Sequence, residues 1–411
     1  MFIKNLASLM TGSLLAQAIP LMALPILTRM YNPEDFGLLA LYAAMASILS
    51  VVATARYEQA VMLPKVQSDA LALVKVSIIV TALLSIFCLI LILLFGEMFA
   101  EFLDNKSIYK WLYLLPISTL LAGCNQTFII WHHRKQQFKV SAISRVTHAT
   151  SQSVIQLSAS PFSALGLVLG QLFGSCMAFV VLLFNFDRNY IRLIWGIPLA
   201  DCKKQVFKYK KFPLYGMWGA ISDTTAAQMP IFLITKYFDT GVLGFYSLTF
   251  KVLNLPLSII SSALSQLLFQ KVTEISRTSP KELSAFILKI AIGLIIVFLP
   301  VVFVIFMWAE ELFSFVFGNK WVVAGEYAKI LIIAIAVRFV VSPLSAVMVQ
   351  EENLKLGAAW QILYLITIFT TLMIFVGSSI EVFLYAFVVH EIVLYLIYFL
   401  LIYYSALNLG K

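Results

Sequence analysis

The sequence predicts an all-α integral membrane protein of about twelve transmembrane helices, and three observations predict it. Of its 411 residues, 61% are apolar and 12% charged, against roughly 45–50% and about 25% in an ordinary soluble protein. The mean hydropathy is +0.94, and the apolar mass is not one anchor but runs from Leu9 to Tyr404. The runs are about 20 residues long and do not alternate, so helices rather than a closed barrel satisfy the backbone in lipid. That arithmetic excludes a soluble globular enzyme.

Apolar runs bounded by polar or Pro/Gly clusters place helices near 9–28, 36–56, 70–95, 109–130, 140–158, 163–185, 213–235, 242–268, 284–307, 325–349, 355–377 and 381–404. The first follows Lys4 and contains Ala16-Gln17-Ala18, the layout of a cleavable signal peptide. Its apolar pattern continues to Leu27, so it is read as a span. Before the second, Asn32-Pro33-Glu34-Asp35 is an N-cap, an N1 proline and two first-turn acids that complement the helix dipole. The fifth carries Ser141, Ser144, Arg145, Thr147, His148 and Gln152, too polar to face lipid, so it belongs at a wet cavity or a helix interface. Gly166, Gly170 and Gly174 recur every fourth residue of the sixth and give it a smooth face for close helix approach. Pro20 and Pro25 in the first span and Pro230 in the seventh remove backbone hydrogen bonds and are expected kinks or hinges. Ser279-Pro280-Lys281-Glu282 is a capping box ahead of the ninth.

The net charge of +9 is first a topology signal. Loop Lys and Arg divide eighteen on one side, including Lys65, Arg134, Lys203 and Lys281, against five on the other: Arg29, Lys106, Lys110, Lys236 and Lys320. Both termini are therefore expected in the cytoplasm, and nucleic acid drops out as a partner. The longest polar stretch, 187–212, is read as a basic cytoplasmic linker between six-helix bundles at 1–186 and 213–411. A shift of 207 residues supports the division, placing Gly12 on Gly219, Thr28-Arg29 on Thr235-Lys236, Gly37 on Gly244 and Leu41 on Leu248. Parallel repeats of this kind occur in transporters, and kinks at matching places suit rocking between them.

The sequence has no G-x-x-x-x-G-K-[ST] motif to hold nucleotide phosphates, so any work must come from gradients. No cofactor is indicated. The four cysteines show no C-x-x-C spacing, and His132-His133 point about 100° apart with no third ligand, so no metal site is expected. A membrane glycosyltransferase or polymerase would need more outer scaffold than the short connections around 96–108 and 309–323 offer.

The informative residues are ionisable groups too deep to snorkel: Asp223, Lys251, Arg338, His390 and Glu391. Arg56 and Arg145 lie near cytoplasmic helix ends, with Glu58 two residues from Arg56 as a local pairing candidate. Two readings stand for the deep set. The charges either pair to pin helices together, or Lys251 and Arg338, with Arg56 and Arg145, line a cationic cavity for an anionic headgroup while Asp223, His390 and Glu391 serve as ion-coupling candidates. Asn254 and Ser258 fall at i+3 and i+7 from Lys251 and extend its polar face; Gln17 and Gln228 add amides of the kind sugars bind.

Residues 29–37, Arg-Met-Tyr-Asn-Pro-Glu-Asp-Phe-Gly, followed by 56–64, Arg-Tyr-Glu-Gln-Ala-Val-Met-Leu-Pro, resemble the N-terminal pattern of Wzx-type lipid-linked oligosaccharide flippases. These belong to the multidrug/oligosaccharidyl-lipid/polysaccharide exporter superfamily. The resemblance implies a V-shaped pair of six-helix bundles around a cationic cavity in the bacterial inner membrane. It further implies translocation of an undecaprenyl-diphosphate-linked oligosaccharide repeat unit from inner to outer leaflet for O-antigen or capsule synthesis. The expected mechanism is alternating access with H⁺ or Na⁺ as candidate coupling ions, and the expected partners are that substrate, membrane lipids and other polysaccharide-assembly membrane proteins. A cation-coupled multidrug exporter of the same superfamily is the alternative, disfavoured because its cavity should be net acidic.

Overall fold

The computed structural model describes residues 2–278, 280–349 and 354–409. Among them no strand occurs. The helices are α1 (Phe2–Met30), α2 (Pro33–Val52), α3 (Tyr57–Ala60), α4 (Gln67–Phe102), α5 (Tyr109–Leu112), α6 (Leu115–Arg134), α7 (Phe138–Ser158), α8 (Ala164–Phe184), α9 (Arg188–Gly196), α10 (Leu199–Lys208), α11 (Met217–Tyr237), α12 (Thr240–Thr278), α13 (Leu283–Phe317), α14 (Val322–Val341), α15 (Leu354–Phe375) and α16 (Ile380–Leu409). Most expected apolar segments fall on one of them, but 109–130 is divided between α5 and α6, and 325–349 runs past α14 into a 3₁₀ stretch at Ser342–Val349. Among the described residues, eight helices are long and apolar enough to cross a membrane: α1, α2, α4, α6, α8, α13, α14 and α16, some with flanking residues.

The apolar side chains explain this arrangement. Leu83, Phe87, Leu93 and Leu94 on α4, and Ile296, Leu299 and Phe303 on α13, stand exposed as lipid-facing residues would. α7 packs against α8 and α1 and buries its polar Ser141, Ser144, Ser153 and Gln156, while Ile143 and Val154 stand exposed. The glycines of α8 make that approach feasible. A Cβ at Gly166 would lie 2.2 Å from Ala159 O, and one at Gly170 would lie 2.4 Å from Gln156 Cγ.

Caps set the ends. Asp35 Oδ2 accepts from Asn32 N at 3.0 Å and its Oδ1 from Ala164 N at 2.9 Å, so one carboxylate caps both α2 and α8. Beside it, Tyr31, 1% exposed, donates to Gln156 O at 2.6 Å. Burial, with Asp35 alongside, pushes the Tyr31 hydroxyl up to about 12. Trp308 leaves helical geometry (φ −126°, ψ 18°) inside α13, one residue beyond the expected end of the ninth span. Ser279 of the anticipated capping box lies outside the described residues; a 3₁₀ turn at Pro280–Glu282 leads into α13. Pro20 and Pro25 lie inside the continuous α1, and Pro230, buried, inside the continuous α11.

The chain forms two compact units, Met1–Lys236 and Tyr237–Lys411. In the first, α4 packs on α6, α9 and α10, and α2 on α6 and α8. The stretch 187–212, expected as a linker, is largely helical. Tyr190, Ile191, Ile194, Cys202 and Val206 of α9 and α10 pack into a core with Ala70–Val76 of α4 and with Phe128, Trp131 and Phe186. α11 groups with this first unit. In the second unit α14 is central, contacting α12, α13 and α16, while α15 packs on α16.

Candidate functional site

In the second unit α14, α15 and α16 bring together Arg338, Tyr364, His390 and Glu391. Glu391 is 0% exposed and forms an ion pair through Oε2 with Arg338 Nε. Arg338 Nη2 donates to the Tyr364 hydroxyl at 2.7 Å, and that hydroxyl donates onward to Glu391 Oε1. His390 Nε2 lies 3.1 Å from Thr367 Oγ1, and its Nδ1 lies 3.7 Å from Glu391 Oε1. The Arg338 guanidinium also sits 5.6 Å from the Tyr395 ring centroid. Opposite charges, a bridging phenol and apolar walls make a closed arrangement in which each charged group has its counterpart.

Lys251 differs. It lies on α12, half-buried, and takes part in none of the ion pairs among the described residues. Ser247, Lys251, Asn254, Ser261 and Ser265 recur at helical spacing and are all half-buried, giving α12 one polar face. Asn254 Nδ2 donates to Phe250 O at 2.9 Å, turning its amide back on its own helix. Ser258 falls on the same face, with its side chain outside the described residues.

In the first unit Gln17 and Arg145 meet at one residue. Arg145 Nη1 donates to Ser13 Oγ at 2.6 Å and Gln17 Nε2 to Ser13 O at 3.4 Å. This polar seam between α1 and α7 is allowed by Gly12, where a Cβ would lie 2.5 Å from that of Ala142. Arg145 is exposed. On α11, Asp223 is exposed and Gln228 half-buried.

Arg56 occupies the left-handed region (φ 64°, ψ 9°) at the turn into α3. Its Nε is buried without a hydrogen-bond partner. No ion pair joins it to Glu58, which is buried and instead accepts from Thr54 Oγ1. The remainder of 56–64 is held from outside the segment. Tyr57 donates to Val206 O at 3.4 Å, while Arg134 donates to Val61 O, Met62 O and Pro64 O at 3.0, 3.1 and 2.6 Å. Sequence reasoning missed the role of Arg134 and the bridge through Tyr364. The available signal for the latter was Tyr364 and Thr367 at i and i+3, a polar pair within an apolar run.

The fold is that of known exporters. It matches an inward-facing multidrug resistance MATE family transporter of the MOP superfamily at TM-score 0.70 and 14% identity, covering 96% of each chain. It matches the lipid II flippase MurJ in an inward closed conformation at TM-score 0.75 and 12% identity, covering 98% of this chain and 89% of that one. Among curated sequences it is similar to the succinoglycan biosynthesis transport protein ExoT of Rhizobium meliloti (strain 1021), 22% identical over 75% of this chain and 60% of that protein. It is also similar to a membrane protein in the cps region of Klebsiella pneumoniae, 23% identical over 83% of this chain and 69% of that protein. The chain thus spans about 60% of the length of the Rhizobium relative. The polysaccharide biosynthesis protein family matches residues 26–326, and the chain belongs to that family.

Proposed function

We propose that this protein is a flippase that moves an undecaprenyl-diphosphate-linked oligosaccharide repeat unit from the inner to the outer leaflet of the bacterial cytoplasmic membrane. Twelve spans with both termini cytoplasmic, and alternating access coupled to H⁺ or Na⁺, complete this reading. Lys251 is the observation that carries it: an ammonium without an ion-pair partner among the described residues, on the half-buried polar face of α12. A half-buried cation left unmatched by the protein is suited to a phosphate that arrives with the substrate. The hydroxyls and amide beside it suit saccharide hydroxyls, while the lipid tail stays in the bilayer. Arg145, with Gln17 and Gln228, is the first unit's candidate for the same task, while Asp223, His390 and Glu391 are the candidates for carrying the coupling ion. An inside-negative potential would assist the outward step, by about 2.3 kcal/mol per charge per 100 mV fully crossed.

The test is leaflet-resolved translocation of a lipid-diphosphate-linked oligosaccharide in proteoliposomes, with and without an imposed pH or Na⁺ gradient. Protein-dependent arrival of intact substrate on the far leaflet is the expected result, and its gradient dependence names the coupling ion. Chemical alteration of the substrate would replace the flippase with an enzyme. Transport of a lipophilic cation instead would replace it with a multidrug exporter.

A further inference from the structure

α9 and α10 form an elbow outside the spans, and its two faces differ. The inner face is buried on α4, as described above. Along the outer face of α9 run Arg188, Arg192 and Trp195 at i, i+4 and i+7, and along that of α10 run Leu199, Lys203 and Phe207 at i, i+4 and i+8. Trp195 is 76% exposed and Leu199 70%, far more apolar area than a surface helix ordinarily leaves in water. Residues 187–211 carry seven Lys or Arg against two Asp. Both acids have helix-start duties: Asp187 accepts from Asn189 N at 2.9 Å, and Asp201 lies in the first turn of α10. The outward face therefore interleaves large apolar side chains with unopposed cations.

Its depth is fixed by Lys75 of α4, whose Nζ donates to Ile197 O at 2.7 Å and Trp195 O at 3.3 Å. The exposed apolar side chains of α4 begin at Ile79, four residues further on or about 6 Å along the helix. The elbow therefore sits one turn below the start of the lipid-facing surface, at the level of headgroups, where Trp side chains and snorkelling Lys and Arg collect.

From this geometry we infer that the α9–α10 elbow is a docking surface for the headgroups of anionic phospholipids in the protein's own bilayer, on the side that the Lys/Arg bias makes cytoplasmic. Trp195 and Leu199 enter the interface between headgroups, while Arg192, Lys203, Lys204 and Lys208 meet their phosphates. This goes beyond the proposed transport and does not depend on the substrate.

The test uses full-length protein in nanodiscs, with spin-labelled phosphatidylglycerol and phosphatidylcholine as probes. The wild type is expected to favour phosphatidylglycerol. The quadruple variant Arg192→Gln/Lys203→Gln/Lys204→Gln/Lys208→Gln is expected to lose about tenfold of that preference. Lys271→Gln/Lys281→Gln, which removes exposed cations of the other unit, should leave most of it. An equal preference in wild type and quadruple variant, or an equal fall in both variants, overturns the proposal. Independently, the fluorescence lost on Trp195→Phe should be quenched by lipids brominated near the top of the acyl chain. Absence of that quenching would place the elbow away from the bilayer and turn it towards a soluble partner, which also overturns the proposal.

Discussion

Arg338 and Lys251 are both half-buried cations on helices of the second unit, yet their surroundings differ. Arg338 faces a fully buried Glu391 and shares Tyr364 with it, whereas Lys251 stands on a polar helix face with no ion-pair partner among the described residues. Position along a long helix therefore does not separate the two; the presence of a counter-charge does. A buried pair is weak evidence for stability but strong evidence that removing one member is costly.

The largest expected effect follows from that asymmetry. Glu391→Ala strands the Arg338 charge and should cost about 3–5 kcal/mol, read as a sharp fall in thermal unfolding temperature in detergent. Arg338→Met combined with Glu391→Leu should recover most of that stability, and failure to recover would mean that the charges do more than pin α14 to α16. Lys251→Ala should leave the unfolding temperature within a few degrees of wild type but lower translocation at least about tenfold, the loss expected of a charge-assisted contact. Lys251→Arg should keep most of the activity.

Smaller effects come from the turn between α1 and α2 of the first unit, where a carboxylate is structural by a different means. Asp35→Ala removes the cap of two helices and should cost about 2 kcal/mol, measured by denaturant or thermal unfolding. Tyr31→Phe should cost about 1 kcal/mol by removing the hydrogen bond to Gln156 O. It should also change the alkaline limb. Because the Tyr31 hydroxyl is raised from 10.0 to about 12 in the fold, its contribution is fully present below pH 10 and is lost as pH rises through about 12. The variant should therefore show a shallower alkaline loss of stability than wild type.

Much of this architecture is legible in the sequence because the signals are local. Apolar runs and Pro/Gly boundaries mark the long helices, and the four-residue spacing of Gly166, Gly170 and Gly174 foretells the tight contact of α8 with α7. The acids Glu34 and Asp35 read as helix-start residues, and Asp35 is one; its second bond, to Ala164 N, spans 129 positions and could not be read. The helical character of 187–212 was hidden because α9 and α10 are short and charged, and their apolar faces become visible only once α4 supplies a surface. Whether Arg338 was paired depended on the packing of α14 against α16, which brings it to a residue 53 positions away. In 56–64 the motif marks a turn pinned by Arg134 and Tyr57, a long-range arrangement that spacing within the segment does not disclose.

The most direct measurement compares two proteins in one proteoliposome assay of lipid-diphosphate oligosaccharide translocation: Lys251→Ala and the paired variant Arg338→Met/Glu391→Leu, each verified as folded. A strong loss in Lys251→Ala with substantial transport retained by the paired variant is the predicted result. Normal transport by Lys251→Ala together with abolished transport by the folded paired variant would contradict it, and would make the Arg338–Glu391 cluster the working site.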